Sequence, residues 1–483
     1  MNARDADKYM EKVARREANA QRAGVMYDGE TGLTYDGHAI DAKTGRLTGG
    51  PRNWSAASKE SLDIMLLVKA VQGDRIAQLS IAGPGRPAEA VAIALDRLAR
   101  KIESYAAFNK SYPAFGGFLP WFRVDGKPGE RRMVPMPDWK NKAPGLDNGQ
   151  LAWSVYYASR ALRDAGQHRL AAKYESQLSL MKTNVVRMFY DPTRGALRAE
   201  ARFRGSERRP PNDNDYENNK ENDYYLEDAA EGMAMVHFAD LFGNWRNNPS
   251  GQAAIWAKAR REPAVFTTED GKKITVARGW RFSSHEDWAH LILPIGDVPV
   301  AAKLYENAQR VRTIYAAEGQ RPGLYASTHL PQDGDGPPAY ENAMGVPSVA
   351  TQGTAPMPVY APYAAFPLAL VNKPLFVTWL KNMLSAPRMF GPNGIGESFQ
   401  QDGKRIAPVL TWDGKVLPIV AYSGGIAGDV RKMLKADGLY NRFVQTVAND
   451  HRNFKAVKIE GTDLPIKPPT AGVPKSTADF NED

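Results

Sequence analysis

Apolar residues recur every three to four positions along most of the chain, the spacing of one buried helix face. The pattern predicts helices over 59–73, 88–108, 148–166, 168–190, 227–243, 298–316, 361–371, 373–384 and 428–437. Short turns such as "AGQ" (165–167) join several neighbours, which makes antiparallel helical hairpins. The opening stretch "MNARDADKYMEKVARREANAQRAG" is charged and helical in pattern, and it has no apolar middle region of the kind a signal peptide carries. Period-two alternation is rare and late. It predicts two β-hairpins, at 264–280 and 406–420, each around an Asp-Gly or Gly turn. The polar, proline-bearing stretch 208–223 reads as an exposed loop. Many helical hairpins with long decorated loops predict a mainly α fold: an (α/α)6 toroid, a barrel of helical hairpins with a few short β-hairpins near its cleft. The expected organisation is an N-terminal helical arm and loop (1–54), the toroid (55–435), and a C-terminal helix with an extended tail on the same domain (436–483).

Length and composition narrow the class. A chain of 483 residues can bury a large core. It contains no cysteine, which excludes disulfides, thiolate metal sites and cysteine nucleophiles. No apolar run is long enough to span a bilayer. The net charge of +9 is spread in singles and pairs, and no nucleic-acid-binding motif accompanies it. No cofactor or metal is expected. Ten Trp and 20 Tyr suit a cleft that stacks on flat ligands such as sugar rings.

Several acids stand in settings that chemistry can use. Glu227 and Glu231 are four apart, hence on one helix face. Glu231 is set among Ala229, Ala230, Gly232 and Met233, neighbours that fit an acid pointing into a cavity. Asp147 opens a helix that also carries Trp153; it is either an N-cap or an acid at the mouth of that helix. Ser283, Ser284, His285, Glu286 and Trp288 form a polar cluster suited to substrate hydroxyls. They do not make a hydrolytic triad, because adjacent residues cannot readily face one another. His285 and His290 also lack the i, i+4 spacing of a helical metal pair. In "FGPNGIGESF" (390–399), Gly391, Gly394, Gly396 and Pro392 shape a loop that ends in a single acid, Glu397. Trp121, Trp153 and Trp288 are candidate sugar platforms.

Seven stretches also occur in a telling order: "GGFLPWF", "GLDNGQLAWSVYYASRAL", "EDAAEGMAMVHFADLFG", "SSHEDWAHL", "PGLYASTHLP", "VPSVATQGTAPMPVYAPYAAFPLAL" and "FGPNGIGESF". Their succession resembles the bacterial glucoamylase-like family. That family includes endo-β-1,2-glucanases and is related to the transglycosylase domain of cyclic β-1,2-glucan synthases. The resemblance implies an (α/α)6 toroid that cleaves β-glucan with carboxylates and without a metal. By position it implies catalytic roles for Glu231, Glu397 and Asp147, and substrate contacts from Ser284, His285 and Trp288. Glycoside cleavage needs two carboxyls, one to protonate the leaving oxygen and one to activate water or attack carbon; Glu231 on an inner helix then suits the donor, and Glu397 at a rim loop the base. The hydrolases usually carry Asp where this chain has Glu397, while the transglycosylase branch carries Glu. The expectation is therefore an inverting, endo-acting β-1,2-glucanase, monomeric, acting in the periplasm or outside the cell on an oligo- or polysaccharide. A retaining transglycosylase is the alternative. A lyase using His285 and Tyr340, or a non-catalytic glycan binder, stands further off.

Overall fold

The structure is a computed structural model that describes residues 1–474 except 84–85, 125–131, 208–214, 220–223, 228–231, 335 and 343. Two kinds of helix alternate in it. Ala57–Val71, Gly145–Asp164 and Trp412–Tyr422 are buried around almost their whole circumference. Ala3–Glu17 and His168–Phe189 are buried on one stripe only, at Ala6, Met10, Val13, Ala14 and Glu17 in the first and at Ala171, Tyr174, Leu178, Met181, Val185 and Met188 in the second. A helix buried on all sides has neighbours on all sides, and an amphipathic one has solvent behind it. The sequence thus sorts its helices into an inner and an outer layer.

The inner layer runs in a circuit. Ala57–Val71 packs on Gly145–Asp164, which packs on Met233–Phe242, which meets Trp288–Ile292. The 3-10 turn Ser284–Asp287, continuous with that last helix, meets Phe366–Ala369. Phe366–Ala369 packs on Trp412–Tyr422, which returns to Ala57–Val71. Pro87–Ser111, His168–Phe189, Tyr440–Asp450 and Lys373–Leu384 lie behind them. This is the helical toroid that the helix pattern predicts. A smaller apolar cluster (Phe266, Ile274, Val276, Val311, Ile314, Val349) joins the hairpin Pro263–Ala277 to the outer helix Pro299–Glu318.

Charged residues also fix the layers. Glu60 and Asp63 of an inner helix meet Lys101 and Arg97 of the outer helix Pro87–Ser111. Lys101 Nζ lies 2.6 Å from Glu60 and 3.0 Å from Asp63, and Arg97 lies 2.7 Å from Asp63, all four fully or almost fully buried.

The second predicted hairpin, 406–420, is corrected. Only Val409–Thr411 is strand, and its partner is Gly37–Ile40, which also pairs with Leu47–Arg52. The stretch "WDGKVLPIV" is instead the helix Trp412–Tyr422. Thr411 caps it, accepting from Gly414 N at 3.1 Å, so Asp413-Gly414 is a first helical turn and not a hairpin turn. Helices at Arg75–Ala82 and Pro249–Lys258 were not expected, and the C-terminal helix of the 436–483 segment is Tyr440–Asp450. The segment 1–54 is packed into the toroid, with Ala3–Glu17 against Arg75–Ala82, Lys373–Leu384 and Trp412–Tyr422. The tail is tied down in part by Trp379 Nε1, which donates to Lys467 O at 2.9 Å.

Candidate active site

Glu397 follows the turn between the paired strands Phe390–Gly391 and Gly394–Ile395. It is not at an exposed rim: it is 2% exposed. Its Oε1 accepts from Thr328 Oγ1 (3.1 Å), His329 N (3.2 Å), His329 Nδ1 (3.2 Å) and Tyr363 OH (3.4 Å), and Oε2 accepts from Thr411 Oγ1. Burial alone would raise its pKa. The donations from His329 and Thr411 outweigh burial and hold the carboxyl below the usual glutamate range. Glu397 is therefore a fixed negative charge whose two oxygens are both engaged.

A second acid, which sequence reasoning passed over, faces this charge. Asp413 lies in the first turn of the inner helix Trp412–Tyr422. Its Oδ2 is 3.6 Å from Lys59 Nζ, while its Oδ1 is buried with no hydrogen-bond partner among the described residues. Burial pushes its pKa up, Lys59 pulls it down, and the carboxylates of Glu397, Asp36 and Asp147 push it up again, to about 6. A carboxyl that titrates just below neutrality and has one unengaged oxygen can take a proton at neutral pH. The Asp-Gly pair concealed it by resembling a hairpin turn.

The surrounding charges form a linked ring. Lys59 also lies 3.3 Å from Asp36, and Asp36 is held at 3.0 Å by Arg52. Arg52 Nη1 donates to His329 Nε2 at 2.8 Å. That donation leaves the His329 proton on Nδ1, aimed at Glu397. The three-stranded sheet built by residues 37–52 and 409–411 is what brings Asp36 and Arg52 beside Asp413.

Asp147 belongs to the same cluster. It sits in the first turn of Gly145–Asp164 but does not cap it; its Oδ2 accepts from Trp121 Nε1 at 2.9 Å. Burial raises its pKa against the Trp121 bond and the charge of Lys59. Trp121 in turn is the middle member of a column. It stacks on Trp54 (centroids 5.4 Å apart, planes 22° apart) and on Trp139 (5.0 Å, 18°). Both its faces are covered, so Trp121 positions Asp147 and offers a sugar only its edge.

The other two tryptophan platforms are corrected as well. Trp153 is fully buried, donates to Ala234 O at 2.8 Å, and packs edge-on against Tyr156, Phe238 and Phe242. Trp288 is 2% exposed and packs beside the His285 ring. Both serve the core. Ser284 is fully buried and has no open face toward solvent. His285 is nearer the chemistry: its ring stands edge-on to Tyr363 at 5.6 Å, and its Nδ1 accepts from Ser327 N at 3.2 Å. Burial pushes its pKa down to about 4, so it is neutral at neutral pH with its proton on Nε2. Glu286 is committed to its own loop, accepting from Trp280 N (2.9 Å), Arg281 N (2.8 Å) and Ser283 N (3.1 Å), although it also borders the cleft. Glu231 lies outside the described residues.

The cleft encloses about 460 Å³, and Leu146, the residue before Asp147, is in its wall. Asn218, Asn219, Tyr224, Trp280 and Gln352 also line it. Amides suit sugar hydroxyls and rings suit sugar faces. Tyr224 (36% exposed) and Tyr340 (55% exposed, on the strand paired with Thr328–His329) are the large aromatics here that present surface to solvent. Neither was singled out in the sequence as a platform.

A helical toroid whose inner-helix ends gather carboxylates beside an amide- and aromatic-lined cleft is an arrangement that suits a glycoside hydrolase. Residues 33–482 match the family described as Endo-beta-1,2-glucanase SGL, and the chain belongs to that family. It is similar to the endo-β-1,2-glucanase of Talaromyces funiculosus solved with sophorose. The two are 32% identical over 99% of this chain and 96% of that one, with a TM-score of 0.92. The same values hold for a glutamate-to-glutamine mutant of that enzyme solved with β-1,2-glucan. The Chitinophaga pinensis endo-β-1,2-glucanase, solved with sophorotriose and glucose, shares the fold: 14% identity over 92% of this chain and 97% of that one, with a TM-score of 0.60. A search of curated proteins gave no match.

Proposed function

We propose that the enzyme hydrolyses β-1,2-glucan within the chain, with inversion, using Glu231 as proton donor and Asp413 as general base. The substrate reading is supported by the 32% identity to a sophorose-bound endo-β-1,2-glucanase across 99% of the chain. The observation that carries the base assignment is the unengaged Oδ1 of Asp413 beside the fully engaged Glu397. In this reading Glu397 is the fixed charge that raises the basicity of Asp413, and Asp147 orients sugar at the mouth of the cleft. Glu231 keeps the donor role that sequence gave it. A relative trapped with glucan as a glutamate-to-glutamine mutant supports an essential glutamate in the family's chemistry. A polymeric glucan substrate fits action in the periplasm or outside the cell.

The chemistry asks little of any cofactor. Asp413 removes a proton from water as that water attacks the anomeric carbon, and the donor protonates the departing oxygen on the other face of the ring. Two experiments test the reading. Asp413→Asn lowers kcat on linear β-1,2-glucan by at least ~10², the ordinary worth of a general base; near wild-type turnover in a folded variant refutes the assignment. Proton NMR of the first product shows an α-anomer if the enzyme inverts. An initial β-anomer, or transfer to added glucose, moves it to the retaining transglycosylase reading.

A further inference from the structure

The loop that delivers Glu397 is held from behind by residues far from the cleft. Arg16 Nη1 donates to Phe390 O at 3.2 Å, and its guanidinium lies 4.5 Å from the centre of the Phe390 ring. Asn19 Nδ2 donates to Pro392 O at 2.9 Å. Glu17 Oε1 accepts from Ile395 N at 2.6 Å. Lys415 donates to Asn393 O and lies 3.2 Å from Glu17 Oε2. Glu17 and Lys415 are both fully buried. Gly394 has φ +85°, and a Cβ there would fall on the Glu17 carboxylate. The contact is thus built for glycine on one side and for an acid on the other.

Position on the helix sharpens the point. Lys415 follows Asp413 by two residues, so the two side chains leave Trp412–Tyr422 on opposite sides. Asp413 faces the cleft cluster, while Lys415 faces the loop and the N-terminal helix. Stability alone gives little reason for such a pair. Replacing a buried ion pair by apolar residues of similar volume is often neutral or stabilising.

We propose that Glu17 and Lys415 are positioning residues: their buried pair sets the Phe390–Phe399 loop, and through it the placement of Glu397 against Asp413. The inference rests on the reading that these two acids serve catalysis. The further charged group that bears on the pair is Glu397, which interacts with Lys415. Burial raises the Glu17 carboxyl, against Lys415, to about 7, and lowers the Lys415 ammonium against Glu17. The pair is therefore sensitive to loss of either member.

The test compares Glu17→Gln, which keeps an oxygen for Ile395 N, with Glu17→Ala, which removes it. kcat and KM are measured on whichever linear glucan the wild-type enzyme cleaves fastest, and turnover is normalised to folded protein by near-UV circular dichroism. A misplacement of about 1 Å can cost ~10² in rate. The expected result is a kcat per folded molecule down at least ~10-fold in Glu17→Ala and between ~3- and ~10-fold in Glu17→Gln, with KM nearly unchanged in both. If Glu17→Ala does not fold, Glu17→Gln carries the comparison. A merely structural pair lowers Tm and leaves kcat per folded molecule within about twofold of wild type, and that outcome overturns the proposal. Asp413→Asn in parallel separates the two ideas. Full turnover there removes Asp413 as base, while the Glu17 series still reports on loop placement.

Discussion

Lys59 is the cation within reach of Asp36, Asp413 and Asp147 in the described cluster, which makes Lys59→Met a direct probe of the base. Methionine keeps most of the stem and removes the charge. Nζ stands 3.6 Å from Asp413, with both side chains largely buried. At an effective dielectric near 20 such a pair interacts by roughly 4–5 kcal/mol. One pKa unit corresponds to about 1.36 kcal/mol, so the bare pair would shift Asp413 by ~3 units. Asp36 shares the same cation at 3.3 Å, and side chains and water relax around the vacated charge. The shift left for Asp413 is ~1 to 2 units, within the range seen for a carboxylate losing an opposite charge. The sign is fixed: the base works when ionised, and loss of a cation makes ionisation harder. The acid limb of kcat/KM, set by Asp413 at about 6, therefore moves upward in Lys59→Met. The assay is reducing-end release across about pH 4 to 9, since kcat/KM reports the free enzyme. A lower rate with an unmoved acid limb would refute Asp413 as the titrating base.

The remaining expectations are shorter. Glu397→Gln removes a negative charge that raises Asp413, so its acid limb moves below 6, opposite in sign to Lys59→Met; a variant with no measurable turnover at any pH would instead make Glu397 itself the chemical group. Glu231→Gln lowers kcat by at least ~10² while the protein stays folded, and unchanged turnover removes Glu231 from the mechanism. Lys101→Met leaves buried Glu60 short of its cation and costs ~3–5 kcal/mol in urea unfolding; a loss under about 1 kcal/mol contradicts the role given to the network. Trp153→Ala costs ~3–5 kcal/mol of stability and leaves the KM of the folded fraction unchanged, because the ring contacts core and not cleft.

The toroid was legible because its signal is local and repeated. Amphipathic stripes such as Ala171–Met188 and the long apolar run inside Ala57–Val71 are written at helical spacing. The acids of the candidate site were only half legible. Glu397 was found through its glycines, but its burial depends on Thr328, His329, Tyr363 and Thr411, from 14 to 69 residues away. Asp413 was missed because Asp-Gly after an apolar run obeys the rule for a hairpin. What decides otherwise is the pairing of Val409–Thr411 with Gly37–Ile40, which leaves residue 412 onward no strand partner. The tryptophans failed as platforms for a similar reason: Trp121, Trp153 and Trp288 look alike in sequence. Only three-dimensional packing shows a ring with both faces stacked, a ring in the core, and a ring behind a histidine.

The central claim is that this site hydrolyses β-1,2-glucan by internal cleavage. Product analysis on linear β-1,2-, β-1,3-, β-1,4- and β-1,6-glucans tests it most directly, following reducing ends and product length over time. The account predicts new reducing ends from the β-1,2-glucan alone, with a rapid early fall in chain length. New chain lengths without new reducing ends, an unsaturated ultraviolet-absorbing product, or preferred cleavage of another linkage would contradict it.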